Sequence, residues 1–222
     1  MFLGHFGVGF GAKAAAPRTS LGSLFLAAQF VDLLWPTLLL LGWEQVRILP
    51  HATQGPPLEF VSYPISHSLL SVVGWGVVGA LLYQLVRRYP RGAVVIGAGV
   101  VSHYLLDLLV HFPDLPLYPG GPQRLGLGLW SSLWGSLALE LGIFAIGVAV
   151  YLRTTRAIDR TGTFALWGLV LFLMLIQVGN VFGAPPPSVT ALAWVGQAQW
   201  LFVVWGYWVD SHRSPRFSAG CP

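Results

Sequence analysis

Seven ionisable side chains stand inside apolar stretches of the sequence, where a charged group is costly to bury. They are His5, Asp32, His67, His103, Asp107, His111 and Glu140. His103, Asp107 and His111 follow one another at intervals of four residues, which places them along one face of a helix. A histidine and an aspartate one turn apart can bind one divalent cation such as zinc, iron or manganese. The same spacing would also suit an aspartate that orients the histidine ring through a hydrogen bond.

The apolar stretches that carry these residues are long enough to cross a membrane. A bilayer core about 30 Å thick needs about 20 apolar residues per helix, and proline, glycine and charged residues separate six such runs. We predict six transmembrane helices, over residues 20–42, 63–86, 92–111, 129–152, 163–182 and 189–209. A further apolar segment, residues 1–16, would extend only about 22 Å as a helix. We expect this half-helix to enter the membrane without crossing it fully.

The composition excludes most other classes of protein. Of the 222 residues, 55% are hydrophobic and only 9% are charged, against about 25% charged in a typical soluble protein. The net charge of +4 does not indicate nucleic-acid binding, because the basic residues lie between apolar runs and form no basic face. The single cysteine, Cys221, excludes a disulfide framework. We therefore predict an all-α, polytopic membrane bundle that forms one integral membrane domain over residues 1–222.

Basic residues mark one end of the predicted bundle. Of the 12 Lys and Arg residues, only Arg47 and Arg124 fall at the opposite end. Short cytoplasmic loops are rich in Lys and Arg. We therefore predict that the loops at residues 43–62 and 112–128 face outward and that the C-terminus is cytoplasmic.

The ionisable residues are predicted to converge in depth. At a rise of about 1.5 Å per residue, four of them lie about 17–20 Å along the membrane normal from the basic end of their segment. These four are His5, Asp32, His103 and Glu140. Asp107 lies one turn further out than His103. The sequence therefore predicts a cluster of acids and imidazoles just outside the midplane of the membrane.

Each of these residues also has a purely structural interpretation. A membrane His or Asp often bonds to a neighbouring helix or lines a path for protons or solutes. His111 could simply end its helix, since Phe112 and Pro113 follow it. Glu140 could be a buried acid that is hydrogen-bonded across the bundle. Spacing and depth do not choose between these roles and metal binding.

Four short motifs follow one another in the first half of the chain. They are Leu3-Gly4-His5-Phe6-Gly7, Asp32-Leu33-Leu34-Trp35-Pro36, Tyr63-Pro64-Ile65-Ser66-His67-Ser68 and Ser102-His103-Tyr104-Leu105-Leu106-Asp107. Over residues 1–119 this order resembles the bacterial inner-membrane family of membrane-bound metal-dependent hydrolases, also called LexA-binding inner-membrane hydrolases. The resemblance implies a location in the inner membrane. It also implies a metal site made by His5, Asp32, His67, His103 and Asp107.

The chain departs from the pattern of that family at two places. The family has paired aspartates on its early span, where this chain has Asp32 alone. It also has a His-Arg-Gly stretch where this chain has Ser62, Tyr63 and Pro64. These departures are consistent either with a site assembled from different ligands, completed by His111 or Asp114, or with a protein that has lost catalysis.

The leading hypothesis is a metal-dependent hydrolase that acts from the outer side on a lipid or lipid-linked ester or phosphoester. The divalent metal, for which zinc is the first candidate, would be held by His5, Asp32, His103 and Asp107. Catalytic roles are assigned to His67, Ser68 and Glu140, with His67 or Glu140 as the general base. Ser68 or Tyr63 would hold the substrate.

Two other functions remain open at this stage. A permease or cation-conducting protein could use the same Asp, Glu and His residues as a relay, although the sequence has no pair of matched broken helices. A non-catalytic scaffold would use these groups only to lock helices together. The enzyme requires a bound metal and an outer pocket for a lipid-like or other small-molecule substrate, whereas the permease requires a continuous polar path. Membrane lipids are the expected partners in every case.

Overall fold

Ten helices carry most of the described chain, residues 1–216 of the computed structural model. Cys221 lies outside these residues. The helices are α1 (Leu3–Ala15), α2 (Leu21–Ala28), α3 (Phe30–Leu40), α4 (Pro64–His67), α5 (Leu69–Arg87), α6 (Pro90–Val110), α7 (Leu133–Thr154), α8 (Arg160–Phe182), α9 (Val189–Gln197) and α10 (Trp200–Ser211). A single 3-10 turn, Leu129–Ser131, precedes α7.

Four of these helices, α5 to α8, are long and apolar enough to cross a membrane. Helices α2 and α3 together would make a fifth span, bent by 58°. The prediction of a helical membrane protein is thus confirmed for the described residues, with four or five helices able to span. The run predicted at residues 189–209 instead forms α9 and α10, which are 9 and 12 residues long and meet at Ala198 and Gln199.

The predicted span over residues 63–86 begins later than expected. Ser68 has an extended backbone, with φ −74° and ψ 143°, and it separates the one-turn helix α4 from α5. Its hydroxyl oxygen accepts a hydrogen bond from the Ser71 N–H at 3.3 Å, which caps the first turn of α5. This break places His67 at the end of its own short turn, off the spanning helix.

The bend between α2 and α3 falls at Gln29, whose φ of −100° and ψ of 2° interrupt the helix. A helix that ends leaves its last carbonyl groups without partners in the helix, and Ala28 is the last residue of α2. Four residues beyond Asp32, Pro36 has no N–H to donate, so the Asp32 carbonyl also lacks its usual helical bond. Local sequence thus produces irregular backbone on both sides of Asp32.

Short antiparallel strand pairs close both ends of the bundle. At one end, β1 (Gln45–Ile48) pairs with β2 (Leu58–Ser62), and β3 (Leu115–Pro116) pairs with β4 (Arg124–Leu125). At the other, β5 (Thr155–Ala157) pairs with β6 (Arg213–Pro215). The all-α prediction omitted these strands. Five of them lie in loops between the predicted helices, and β6 follows the last predicted helix.

The N-terminal helix α1 lies in the centre of the bundle. Leu3, His5, Phe6 and Phe10 are fully buried, and α1 packs against α2, α6 and α7. Its closest approach is to α7, where a Cβ atom on Gly147 would lie 2.0 Å from the carbonyl oxygen of Gly7. Only a residue without a side chain permits this contact. The short segment is therefore a core element.

A buried ion pair fixes the end of the bundle that carries the basic loops, which we call the basic end. Lys13, only 3% exposed, donates to the Thr19 carbonyl at 2.8 Å and to Asp210 Oδ2 at 2.5 Å. The Tyr151 hydroxyl donates to Asp210 Oδ1 at 2.8 Å. These bonds tie the C-terminal ends of α1, α7 and α10 together. The charge pattern of the sequence places Lys13 at the basic end but does not predict its burial.

An aromatic layer fills the bundle between this ion pair and the opposite end. Its members meet edge to face, with ring centroids 4.9 to 5.9 Å apart, a geometry that aromatic quadrupoles favour. They are Phe6, Phe10, Phe25, Phe144 and Phe202. All five are buried, and the layer separates the two ends of the protein.

Replacing Gly147 with alanine should destabilise the protein by about 1–3 kcal/mol, because the new methyl group overpacks the contact with the α1 backbone. Thermal or denaturant unfolding in detergent micelles measures this loss. Gly142→Ala is the matched control on the same helix, since a Cβ there meets nothing within 4 Å. Equal stability of the two variants would contradict the central position of α1.

Candidate metal centre

Two carboxylates and two imidazoles converge where α6 faces α3 and α4. The Nε2 atom of His103 lies 3.2 Å from Asp107 Oδ2 and 3.6 Å from Asp32 Oδ1. The Nε2 atom of His67 lies 3.5 Å from Asp32 Oδ1 and 4.0 Å from Asp107 Oδ2. His67, His103 and Asp107 are each at most 4% exposed. Three helices that are distant in sequence, α3, α4 and α6, thus supply one cluster.

The four separations between histidine nitrogens and carboxylate oxygens are close to those between the ligands of a single divalent ion. Two ligands at zinc–nitrogen or zinc–oxygen distance lie about 3.4 Å apart in a tetrahedral site. The four separations, 3.2 to 4.0 Å, bracket this value. The candidate ligand atoms of Asp32, His67 and His103 all lie within 4.8 Å of one another. These buried His and Asp residues could therefore hold a metal ion.

His103 presents an unshared electron pair to both carboxylates. Its Nδ1 lies 2.9 Å from the Ala28 carbonyl oxygen, and since a carbonyl can only accept, Nδ1 carries the hydrogen. The neutral ring then has a lone pair on Nε2, which is buried without a hydrogen-bond partner among the described residues. A lone pair that faces two carboxylate oxygens is repelled by them. A cation between the three groups, either a proton or a metal ion, removes that repulsion.

A buried chain of hydrogen bonds orients His67 in the same way. Its Nδ1 lies 2.7 Å from Ser66 Oγ, and that hydroxyl donates to Glu44 Oε2 at 2.5 Å. Ser66 must therefore accept from His67 Nδ1–H, so the lone pair of Nε2 faces the cluster. Glu44, 2% exposed, also accepts the backbone N–H groups of Ile65 and Ser66.

Sequence reasoning missed both Glu44 and Ser66. Ser66 stands next to a candidate ligand, which is the one local signal for its role. Glu44 lies in a segment predicted to be an outer loop. Only the tertiary fold brings it to Ser66, through which it orients His67.

His111 and Asp114 form a pair at the edge of the cluster. Asp114 Oδ1 lies 2.8 Å from His111 Nδ1 and accepts a hydrogen bond from the Tyr63 hydroxyl at 2.8 Å. His111 Nε2 lies 3.9 Å from Asp107 Oδ2. Burial, and next the Asp114 carboxylate, raise the pKa of Tyr63 well above its usual value, so the phenol stays protonated and donates. His67, His103 and His111 thus all direct Nε2 towards the same Asp107 oxygen.

His5 contacts the other oxygen of Asp107. Its Nε2 lies 3.1 Å from Asp107 Oδ1, and its ring stacks on His103 with centroids 3.7 Å apart and an interplanar angle of 6°. The Met1 nitrogen donates to the same Oδ1 at 2.7 Å. His5, His103 and Asp107 form a second group whose ligand atoms lie within 4.8 Å of one another. His5 therefore contacts Oδ1 of Asp107, whereas His67 faces Oδ2 of the same carboxylate.

Glu140 and Ser68, two residues predicted to be catalytic, make helix-capping contacts. Glu140 Oε2 accepts the backbone N–H groups of Phe2 and Leu3 at 2.9 and 2.8 Å, donors that the first turn of α1 leaves unpaired. Ser68 caps α5 as described above. Glu140 also lines the cavity beside the cluster, whereas Ser68 does not line it.

A cavity of about 800 Å³ opens beside the cluster, at the end of the bundle opposite the basic end. Asp32, His67, Asp107 and His111 form part of its wall. The rest comes from the β1–β2 loop, the start of α7, the end of α8, the proline-rich segment after α8, and α9. Asp32 keeps 22% of its side chain exposed. A small molecule could therefore reach the cluster.

Comparison of this chain with protein families, with curated proteins and with solved structures finds no match. Any function must therefore be argued from the site itself. Its geometry offers oriented imidazoles, two buried carboxylates and an adjoining cavity.

Ser66→Ala should weaken zinc binding about 10- to 100-fold, because it removes the group that fixes the tautomer and orientation of His67. Competition with a chelator of known affinity measures the change in purified protein. Ser102→Ala is the matched control: Ser102 also directly precedes a cluster histidine, but its hydroxyl donates to the Gly99 carbonyl of its own helix. An equal effect of both substitutions would refute the orienting role of Ser66.

Proposed function

We propose that this protein is a metal-dependent hydrolase of the membrane, acting on a lipid or lipid-linked ester or phosphoester. The observation that carries the proposal is the unpartnered Nε2 of His103, which faces two carboxylates beside a cavity. A cluster that served only to lock helices would have no need of that cavity.

The proposed ligands are Asp32, His67, His103 and Asp107. Relative to the sequence hypothesis, His67 joins the ligand set and His5 becomes the residue that supports Asp107. When bound, a zinc ion would supply Lewis-acid polarisation of an ester oxygen and make water a nucleophile at neutral pH.

His111 is the proposed general base. It lines the cavity, and Asp114 fixes its Nδ1, so that Nε2 is the nitrogen free to take a proton. A base oriented by a carboxylate is the usual arrangement for activating a nucleophile. Tyr63 holds Asp114 in place through its hydroxyl.

The proposed topology places the cavity on the outer side of a bacterial inner membrane. Short cytoplasmic loops concentrate Lys and Arg, and the cavity lies at the other end of the bundle. The pair α9 and α10 would complete a sixth crossing and bring residues 213–216 to the cytoplasmic side, where β6 pairs with β5.

The aromatic layer argues against a permease. A proton or cation path would have to continue from the cluster to the basic end of the bundle, across the aromatic layer. The five buried phenylalanines occupy that interval, and they offer no polar group.

Purified wild-type protein should contain about one zinc, manganese or iron ion per chain, and His103→Ala should contain none. Elemental mass spectrometry of detergent-purified protein, prepared without chelators, measures both. His212→Ala is the control, because His212 bonds to Asp159 at the basic end and should keep its metal. Removing the metal should abolish ester or phosphoester hydrolysis, and adding it back should restore the activity.

Absence of metal from wild-type protein would reject the proposed function. Metal retained at full stoichiometry in His103→Ala would reject the ligand assignment.

A further inference from the structure

The charged groups around the cavity indicate which chemical group it accepts. Among the described residues, no Lys or Arg lines its wall. Its acids are Asp32, Asp107 and Glu140. The Met1 nitrogen, which also lines it, is paired with Asp107. The two charges of a divalent ion and the charge of the Met1 ammonium would together be matched by Asp32, Asp107 and Glu140, so the wall would carry no excess positive charge.

Such a wall is unsuited to a phosphoester. Besides a metal ion, protein phosphate sites use Arg, Lys or the N–H groups of a helix N-terminus. Here the N–H groups of Phe2 and Leu3, at the start of α1, already donate to Glu140. They are therefore not available to a phosphate. The metal ion would be the only cation left to compensate a phosphate anion, and the carboxylates already match its charge, whereas an uncharged acyl ester requires no such compensation.

The cavity reaches the lipid-facing surface of the bundle. Its wall includes Val195 of α9 and Leu133 of α7, which are 71% and 45% exposed. Trp35, Phe60 and Leu192 continue the apolar lining inward. Acyl chains could therefore lie along this wall while the ester lies at the cluster.

Gln177 supplies a polar contact opposite the cluster. It lines the cavity and is 6% exposed, and its Oε1 has no hydrogen-bond partner among the described residues. A buried acceptor without a donor is costly. A hydroxyl group on the ligand would satisfy it.

Taking the proposed hydrolase function as its basis, we infer that the substrate is an uncharged acylglycerol whose free hydroxyl binds Gln177, and not a phosphoester. Water adds to the acyl carbon, and the bond from that carbon to the glycerol oxygen breaks. One proton of the water passes to the glycerol oxygen and the other is released, giving an alcohol and a carboxylate.

The test uses full-length, zinc-loaded protein in nanodiscs with two probes. One is diacylglycerol, and the other is a dialkyl ether phospholipid, which has a phosphodiester but no carboxylic ester. We expect metal-dependent release of fatty acid from the first and no product from the second. Cleavage of the ether lipid alone would overturn this inference and leave the metal-dependent hydrolase intact. Cleavage of neither, by protein with full metal content, would overturn both.

A pair of variants tests the role of Gln177. Gln177→Leu should lower kcat/KM for diacylglycerol about tenfold, the cost of one hydrogen bond, with unchanged metal content. It should have no effect on diacylglycerol whose hydroxyl is acetylated. Gln199→Leu is the matched control, since the Gln199 amide oxygen is also buried and unpartnered among the described residues but Gln199 does not line the cavity. An equal loss in both variants, or on both lipids, would refute the assigned contact.

Discussion

A carboxylate buried in an apolar bundle must find compensating donors or a cation, and the rest of this structure is arranged around one such group. Asp107 is 1% exposed. Its Oδ1 faces the Met1 nitrogen and His5, and its Oδ2 faces His67, His103 and His111. The segments that carry these residues must keep fixed relative positions, because the Asp107 carboxylate requires all of their polar groups around it.

The irregular parts of the backbone serve this arrangement. The break at Gln29 makes Ala28 the end of a helix, and its carbonyl fixes the tautomer of His103. The break at Ser68 separates His67 from α5, so that Glu44 and Ser66 can orient its ring. The close contact of Gly7 and Gly147 admits α1 to the core and places His5 against His103. The breaks at Gln29 and Ser68 and the close packing of α1 therefore each position one group of the cluster.

Much of the fold was predictable because it depends on local properties. Apolar runs of membrane length gave four spanning helices close to their predicted ranges. The two other runs contain breaks, at Gln29 and at Ala198 and Gln199. Hydropathy does not register these breaks, because one or two glutamines hardly change an average taken over a window of membrane length. The burial of Lys13 was missed for a related reason: its partner, Asp210, lies 197 residues away.

The sequence by itself determined that this is a helical membrane protein, because its few charged residues cannot cover the surface of a soluble protein of this size. It also determined that His103 and Asp107 share one helix face, because a four-residue spacing fixes that geometry within a helix. Only the tertiary structure decided the rest of the cluster. The contacts of Glu44 with Ser66, of Ala28 with His103 and of Glu140 with Leu3 join residues 22, 75 and 137 positions apart. Helix packing creates these contacts, and no local pattern of residues encodes which helices meet.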